Sequence, residues 1–375
     1  MRMRVLRIEI LSVDIPFRRP FAHAVKRRDV SESIFVILQT DNGEQGFGES
    51  LPRPYVTGED QKSVVATLKE IIPSLLFETT FKSFGEVVDF CASVRDIDGA
   101  ARCAFELALL DGAGKVFGRS VADVLGGVRR QKLRYSAAVG TVSPAKAGIA
   151  AFAFRMYGIK DLKIKVGNDG DFERVKAARR FFGKNGDIRL DANGAWSAEE
   201  AIGKLDVLRR FDISAVEQPV PKDDIGALAV VCRTIPECVV ADESLCTLED
   251  AKRLVSAEAC SMFNIRLSKC GGLIPSLKIA EFAARSGIVC QLGCQVGETS
   301  LLSAAGRHFA AAIDTLKFIE GSYAKFILAE DIVREDVGFG YGGIASPLKG
   351  TGLGVGIDEE RLYKYTKEKV TLCRE

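Results

Sequence analysis

The stretch Leu162-Lys163-Ile164-Lys165-Val166 is predicted to be a short β-strand with two lysines on one face. Side chains alternate along a strand, so Lys163 and Lys165 project together, opposite the three apolar residues. Two neighbouring ammonium groups repel each other, and partial burial also disfavours their charged form, so we expect lowered lysine pKa values. Such a lysine could accept a proton at neutral pH, whereas an exposed edge strand would carry the same pattern without any chemistry.

Four more strand-like segments follow this one, and each carries a polar residue at or just after its end. The segments recur about every 26 residues, which is the spacing of one strand, one helix and two short loops. This period indicates a β/α repeat. The polar residues are Asp191, Glu217, Asp242 and Lys269.

Eight strand patterns alternate with seven helix patterns between residues 133 and 320. This alternation favours a parallel β/α barrel whose last helix is short or missing over an open doubly wound sheet. Residues 3–50 predict an antiparallel meander with an Asp41-Asn42-Gly43 turn, and helices follow it, which indicates an α+β domain. We therefore predict an α/β fold, a modified TIM barrel preceded by an α+β domain to which the C-terminal tail returns. The predicted divisions are residues 1–128, 129–330 and 331–375.

The composition argues against several classes of function. Lys + Arg (52) nearly balance Asp + Glu (50), and no basic block interleaves with aromatic residues, so we expect no nucleic-acid partner. No apolar run approaches the roughly 18 residues that span a bilayer, and the chain start lacks a signal-peptide core, so we predict a cytoplasmic protein without a membrane partner. The ten cysteines form no Cys-x-x-Cys pair, which predicts reduced core thiols.

Asp191, Glu217 and Asp242 should meet, because the carboxyl ends of consecutive barrel strands lie at one rim. Three neighbouring carboxylates repel one another, so we expect a cation there. Three oxygen ligands with room for water suit Mg²⁺ better than Zn²⁺, and a structural ring of salt bridges is the alternative. Lys165 and Lys269 belong to the second and sixth strands, so they should face each other across the barrel mouth.

Five motifs together resemble those of the enolase superfamily, specifically its muconate-lactonizing-enzyme subgroup. The resemblance covers nearly the whole chain, in order and spacing, and the motifs are jointly very specific. They are Lys163-Ile164-Lys165, Asp191-Ala192-Asn193-Gly194-Ala195-Trp196, Glu217-Gln218-Pro219, Ala241-Asp242-Glu243-Ser244 and Asn264-Ile265-Arg266-Leu267-Ser268-Lys269-Cys270-Gly271-Gly272.

The resemblance implies an isomerase that removes the proton α to a substrate carboxylate through a metal-stabilised ene-diolate. It implies that Asp191, Glu217 and Asp242 bind Mg²⁺, for which Mn²⁺ could substitute. Lys165 and Lys269 would be the catalytic bases. The supporting residues would be Lys163, Asn193, Arg266 and Glu298.

Within the subgroup, the motifs predict racemisation or epimerisation of an N-acyl amino acid or a dipeptide-like acid. Dipeptide epimerases typically carry an Asp-x-Asp pair at the eighth strand that holds the substrate ammonium. Here Gly321-Ser322-Tyr323, preceded by Glu320, stands at that place, which argues against a free α-amino group. The alternatives are a cycloisomerase, an o-succinylbenzoate-synthase-like lyase or a dehydratase. Outside the superfamily, a Schiff-base aldolase with Lys165 as nucleophile and a non-catalytic barrel remain.

The resemblance also implies that the N-terminal domain caps the barrel and selects a small carboxylate substrate. The segment Pro16–Val30, long and basic, is a candidate mobile loop, and Pro52–Glu59 resembles the cap loop of dipeptide epimerases. We also expect a homo-oligomer. The predicted specificity residues are His23, Tyr55, Thr57, Ser322 and Tyr323.

Overall fold

An antiparallel sheet covered by helices forms the N-terminal part of the protein in this computed structural model, which describes residues 1–22, 27–95, 97 and 99–374. The central strand β2 pairs with β1 on one side and with β3 on the other. The predicted turn at Asp41-Asn42-Gly43 joins β2 to β3, and Gly43 adopts a φ of 84° there. The elements are β1 (Val5–Ala22), β2 (Arg27–Thr40), β3 (Gln45–Ser50), α1 (Pro54–Thr57), α2 (Gln61–Leu76), α3 (Phe84–Ser93) and α4 (Gly99–Phe117).

The hairpin of β1 and β2 is longer than the sequence predicted. We expected a loop over Pro16–Val30, but both strands continue through most of it, with Pro16 opposite Val30. The register shifts after Pro16, since proline cannot donate to the ladder, and pairing resumes with Phe21 opposite Arg28. The predicted loop boundaries were therefore wrong. His23 lies outside the described residues.

Helix α4 packs unusually close to strand β3. It is buried on nearly all sides, as expected of a helix enclosed by a sheet and further helices. Gly46 and Gly48 of β3 permit the contact, because a Cβ on either would overlap carbonyl oxygens of α4. The end of β3, which leads toward the barrel, is thereby held against a rigid element.

Eight parallel strands form the second part of the chain, in the order β5 to β12. The backbone N–H of Ser136, just before β5, donates to Ile319 O of β12 at 2.8 Å and so joins the first strand region to the last. The predicted barrel of eight strands and seven long helices is confirmed, and only a four-residue helix follows the last strand. The elements are β4 (Leu133–Arg134), β5 (Ala137–Val139), α5 (Pro144–Met156), β6 (Asp161–Lys165), α6 (Asp171–Phe182), β7 (Asp187–Asp191), α7 (Ala198–Leu208), β8 (Ile213–Glu217), α8 (Ile225–Thr234), β9 (Cys238–Ala241), α9 (Leu248–Ser256), β10 (Met262–Ile265), α10 (Leu267–Cys270), α11 (Leu273–Arg285), β11 (Val289–Leu292), α12 (Ser300–Ala312), β12 (Leu316–Ile319) and α13 (Ala324–Ile327).

The C-terminal tail contacts both parts of the chain. Strand β13 (Ile344–Ala345) pairs with β4, helix α14 (Glu359–Lys364) follows, and strand β14 (Thr366–Cys373) is the fourth strand of the N-terminal sheet, antiparallel to β1. The exact domain boundaries stay a prediction.

Two further predictions concern the cysteines and membrane-spanning segments. All ten cysteines are free. Within the described ranges, no helix combines the length and the apolar character that a bilayer crossing requires. The cytoplasmic location and the homo-oligomer stay predictions.

Candidate active site

Five of the predicted polar residues lie at one rim of the barrel. Lys165, Asp191 and Glu217 are the last residues of β6, β7 and β8 and lie side by side in the strand register. Asp242 follows β9 directly, and Lys269 lies in the short helix α10 after β10. The three carboxylates are fully buried. Parallel pairing therefore brings together residues that are far apart in sequence.

Lys165 lines the cavity at the barrel mouth. Its Nζ lies 3.1 Å from Asp191 Oδ2 and 2.5 Å from Asn193 Oδ1. Asn193 adopts a left-handed backbone conformation, with a φ of 46°, which asparagine tolerates better than most residues. Its Nδ2 also donates to Glu243 Oε1 at 3.0 Å. Two hydrogen bonds on Asn193 thus fix one partner of the lysine.

Lys163 lies deeper, among three carboxylates. Its Nζ is 2.8 Å from Glu320 Oε2, 3.4 Å from Glu217 Oε1 and 3.5 Å from Asp191 Oδ2. Burial alone would lower the pKa of this lysine, but the three carboxylates outweigh burial and hold the pKa well above its usual value. The expected lowering was wrong for Lys163, because attraction to three anions exceeds repulsion from one neighbouring ammonium group.

Lys269 and Arg266 contact Asp242 on the far side of the cluster. Lys269 Nζ lies 2.8 Å from Asp242 Oδ1 and also donates to the Asp242 backbone oxygen, while Arg266 donates to Oδ2. Burial would lower the pKa of Lys269, but Asp242 outweighs burial and raises it. Lys269 is 1% exposed, whereas Lys165 lies at the cavity wall.

Asp191, Glu217 and Asp242 supply an all-oxygen set of candidate metal ligands. Within the part of the chain that the structure describes, no three carboxylate, imidazole or thiol groups converge closely enough to hold a metal ion. Cations bridge these carboxylates instead: Lys163 contacts the first two, and Arg266 contacts the last two. Burial, reinforced by the neighbouring carboxylates, raises the pKa of Glu217 to about 7. Buried carboxylates that repel each other this strongly fit a hard divalent cation such as Mg²⁺.

Two buried amide side chains that were not predicted to belong to the site hold Glu217. Asn264 Nδ2 donates to Glu217 Oε1 at 2.9 Å, and Gln291 Nε2 donates to Oε2 at 2.7 Å. Both donors are fully buried on strands of the barrel interior. The signal was present in the sequence, since an amide within an apolar strand implies a buried partner.

Glu320 and Arg189 are also part of the site, although no role was predicted for either of them. Glu320 Oε2 contacts Lys163, and Oε1 accepts from Arg189 Nη2 at 2.5 Å. Burial would raise the pKa of Glu320, but the two cations lower it to about 2. Both carboxylate oxygens are therefore engaged. Period-2 alternation could have revealed Arg189, since it shares its strand face with Asp191.

The predicted specificity residues separate into two groups. Tyr55 and Tyr323 line the cavity, and the Tyr323 hydroxyl donates to Ser136 O at 2.6 Å. Thr57 and Ser322 do not line it, and the Ser322 hydroxyl accepts from an arginine behind the rim.

The cavity itself has a volume of about 670 Å³ and a mixed lining. One wall is apolar and comes from α5, α13 and neighbouring loops. The polar residues of the lining lie at the strand ends and on the N-terminal part of the chain. The main residues of the apolar wall are Val139, Phe154, Tyr157, Ile159, Phe326, Ile327 and Phe339.

A carboxylate from the N-terminal part of the chain caps the N-terminus of a barrel helix. Glu49 at the end of β3 accepts hydrogen bonds from Thr299 N at 3.0 Å, Thr299 Oγ1 at 2.6 Å and Leu302 N at 2.9 Å. The amides of Thr299 and Leu302 lie at the start of α12, where backbone N–H groups lack partners within the helix. Burial raises the pKa of Glu49 to about 7 in spite of these bonds.

Glu298 lies one residue before this helix cap and is buried as well. Its Oε1 accepts from Gln295 N at 2.5 Å. Burial, with the nearby charge of Glu49, raises the pKa of Glu298 to about 8, and the hydrogen bond and two arginines do not offset that rise. At neutral pH the Glu298 carboxyl group is therefore mostly protonated.

Replacing Glu298 by glutamine should remove a pH-dependent loss of stability. The folded pKa of about 8 exceeds the ordinary value of 4.5, so the folded state retains a proton that the unfolded chain has released. Wild-type stability should therefore fall as the pH rises through this window, whereas glutamine cannot ionise. In thermal melts from pH 5 to pH 9, the melting temperature of the variant relative to that of wild type should rise with pH up to about pH 8. The exposed Glu199→Gln is the control, and parallel curves for Glu298→Gln and wild type would contradict the assignment.

Two family models match the chain. The model described as "Mandelate racemase / muconate lactonizing enzyme, N-terminal domain" matches residues 6–126, and the model described as "Enolase C-terminal domain-like" matches residues 148–361. Together they cover most of the N-terminal part and the barrel.

Individual relatives span nearly the full length. An L-Ala-D/L-Glu epimerase from Bacillus subtilis is 29% identical over 98% of this chain and 100% of its own. The crystal structure of an N-succinyl Arg/Lys racemase from Bacillus cereus superposes with a TM-score of 0.90 at 28% identity, covering 98% of this chain and 100% of the other. A dipeptide epimerase from Enterococcus faecalis, complexed with Mg and L-Leu-L-Tyr, gives a TM-score of 0.85 at 27% identity, with 94% and 99% covered.

Proposed function

We propose, from the premise that the chain belongs to the mandelate racemase/muconate lactonizing enzyme family of the enolase superfamily, that it racemises N-acylated amino acids. The prediction of an isomerase of this superfamily is confirmed, since the relatives are racemases and epimerases. The reaction begins with removal of the proton α to a carboxylate. The choice of substrate and the residue roles given below are proposals.

The contacts of Glu320 favour an acyl group that carries no ammonium group. A dipeptide brings an ammonium group on its acyl part, and that group needs a carboxylate with a free oxygen. Both oxygens of Glu320 already contact Lys163 and Arg189, and Ser322, two residues further on, carries no charge. An ammonium group desolvated here without a free carboxylate would cost several kcal/mol. An acyl group without an ammonium group avoids that cost.

We assign the proton transfers to Lys165 and Lys269. They contact the two ends of the carboxylate row, Lys165 at Asp191 and Lys269 at Asp242, so they can approach the α-carbon from opposite faces. One lysine enters the cycle unprotonated and takes the α proton, and the other returns a proton to the opposite face. Lys163 would offset the negative charge that develops on the substrate.

We assign Asp191, Glu217 and Asp242 as the ligands of Mg²⁺, for which Mn²⁺ could substitute. A cation bound there would polarise the substrate carboxylate and so make the α proton more acidic. Arg266 balances the two carboxylates it contacts, and Asn193 positions Lys165. The relative complexed with Mg and a dipeptide supports this choice of metal.

Deuterium exchange on a matched pair of substrates tests the proposal. N-propionyl-L-leucine and L-alanyl-L-leucine differ only in the ammonium group of the acyl part. We expect α-deuterium incorporation from D₂O, with kcat/KM for the propionyl compound at least about a hundredfold higher, because the dipeptide must bury an unpaired charge. Equal or faster exchange of the dipeptide would contradict the choice of substrate. Conversion of a muconate-type acid with no exchange of either compound would favour a cycloisomerase instead.

A further inference from the structure

Two arginines from outside the barrel line the same cavity as Lys165. Arg28 lies on β2, and Arg53 lies just before α1. Both are almost completely buried, with exposed fractions of 6% and 2%. Both also contact Glu32: Arg28 donates to its carboxylate, and Arg53 Nη1 lies 3.4 Å from its backbone oxygen. The two guanidinium groups are therefore neighbours at the cavity wall.

The described residues neutralise the positive charge of this pair only in part. Glu32 forms an ion pair with Arg28, whereas Arg53 forms none with any described residue. Glu298, a second carboxyl group near Arg53, is mostly protonated at neutral pH because burial raises its pKa to about 8. Burial and the charge of Arg28 lower the pKa of Arg53 to about 10, which agrees with an excess of positive charge.

Arg28 also has unused hydrogen-bond donors. Its Nε and Nη2 are buried and have no hydrogen-bond partner among the described residues, whereas Arg53 donates to Pro52 O at 2.9 Å and to Val296 O at 2.8 Å. Buried donors without partners are costly and rare in folded proteins. A guanidinium group with adjacent free Nε–H and Nη–H donors matches the two oxygens of a carboxylate.

We infer that Arg28, positioned beside Arg53, binds a second carboxylate of the substrate, in addition to the carboxylate next to the reacting carbon. The substrate class is then an N-acyl amino acid with two carboxylates. The second carboxylate lies either at the end of the acyl group, as in an N-succinyl compound, or on the amino-acid side chain. This inference rests on the proposed function, since it specifies the acid on which the same site acts.

Binding measurements on isosteric pairs test the second anion site. Calorimetric titrations at saturating Mg²⁺ would compare N-succinylglycine with N-succinamoylglycine, and N-acetyl-L-glutamate with N-acetyl-L-glutamine. Each pair differs by one carboxylate and one amide. We expect the dianion to bind roughly 10- to 100-fold tighter in one pair, as charge-assisted hydrogen bonds allow. The pair that shows the preference identifies the arm that carries the second carboxylate.

Variants of Arg28 test whether this residue causes the preference for the dianion. Arg28→Met should abolish the preference for the dianion, and Arg28→Lys should retain part of it, which also shows that the hairpin still folds. Arg18→Met is the control, because Arg18 lies on the same hairpin, donates to Leu328 O and does not line the cavity. No preference in wild type for either pair, or an unchanged preference in Arg28→Met, would overturn the inference.

A separate readout distinguishes this inference from the proposed function. α-Deuterium exchange of N-propionyl-L-leucine reports on the reaction and does not require a second carboxylate. Exchange without a dianion preference would overturn the anion site and leave the proposed function intact. A dianion preference that Arg28→Met removes, without exchange of any N-acyl amino acid, would support the anion site and overturn the proposed function.

Discussion

Replacing Lys165 by alanine is expected to stop racemisation, with a loss of about a thousandfold or more, and to leave exchange of the α proton intact for one enantiomer only. Lys269→Ala should show the opposite handedness. The reason is geometric: the lysines contact opposite ends of the carboxylate row, so each serves one face of the α-carbon. Loss of one base removes inversion, whereas the remaining lysine still exchanges the proton on its own side.

The measurement is α-deuterium incorporation into both enantiomers of an N-acyl amino acid, for both variants, at saturating Mg²⁺. Lys252→Ala, an exposed lysine of α9, is the control and should behave as wild type. A lyase needs one base and uses the other lysine as a cation. The racemase assignment is wrong if one variant exchanges neither enantiomer while the other variant exchanges the same enantiomer that wild type exchanges.

Replacing Glu217 by glutamine is expected to weaken Mg²⁺ binding by about a hundredfold or more and to reduce turnover by about a thousandfold at a fixed Mg²⁺ concentration. Glu217 is the middle member of the three carboxylates, so loss of its charge leaves two ligands that are not adjacent. Folding should be little affected, because burial already raises the pKa of Glu217 to about 7 and Asn264 and Gln291 can still hydrogen-bond to an amide.

Calorimetric Mg²⁺ titration, together with a thermal melt, measures both effects. The matched control is Glu106→Gln, since Glu106 is equally buried, also has a pKa raised by burial to about 7, and lies on α4, where it accepts a hydrogen bond from Ile274 N of α11 at 3.0 Å. The control should bind Mg²⁺ as wild type does. A Glu217→Gln enzyme with undiminished metal affinity and turnover would remove Glu217 from the site.

The strand-end residues could be predicted from the sequence because a regular β/α period fixes where each strand ends. Asp191 and Glu217 therefore lie beside each other as expected. The raised pKa of Lys163 could not be predicted in the same way, because it depends on groups across the barrel. Glu320 is 157 residues from Lys163 in the chain, yet it lies 2.8 Å away in the fold.

The length of the hairpin of β1 and β2 is a second feature that local sequence patterns did not predict. Pro16 and the basic residues after it indicate a loop by composition, but pairing with β2 continues past the proline after a shift of register. Cross-strand pairing is a property of two segments, and a single segment does not reveal it. Arg28 was missed for the same reason, since its position in the cavity depends on that pairing.

The contact of Glu49 with α12 limits how this enzyme can be recombined with its relatives. Two amides at the start of a barrel helix, those of Thr299 and Leu302, donate to a carboxylate that lies about 250 residues earlier in the chain. A chimera that joins a foreign N-terminal half to this barrel would leave those amides without an acceptor unless the incoming strand carries an acidic residue at the same place. New specificities are therefore better transplanted as single loops than as whole halves.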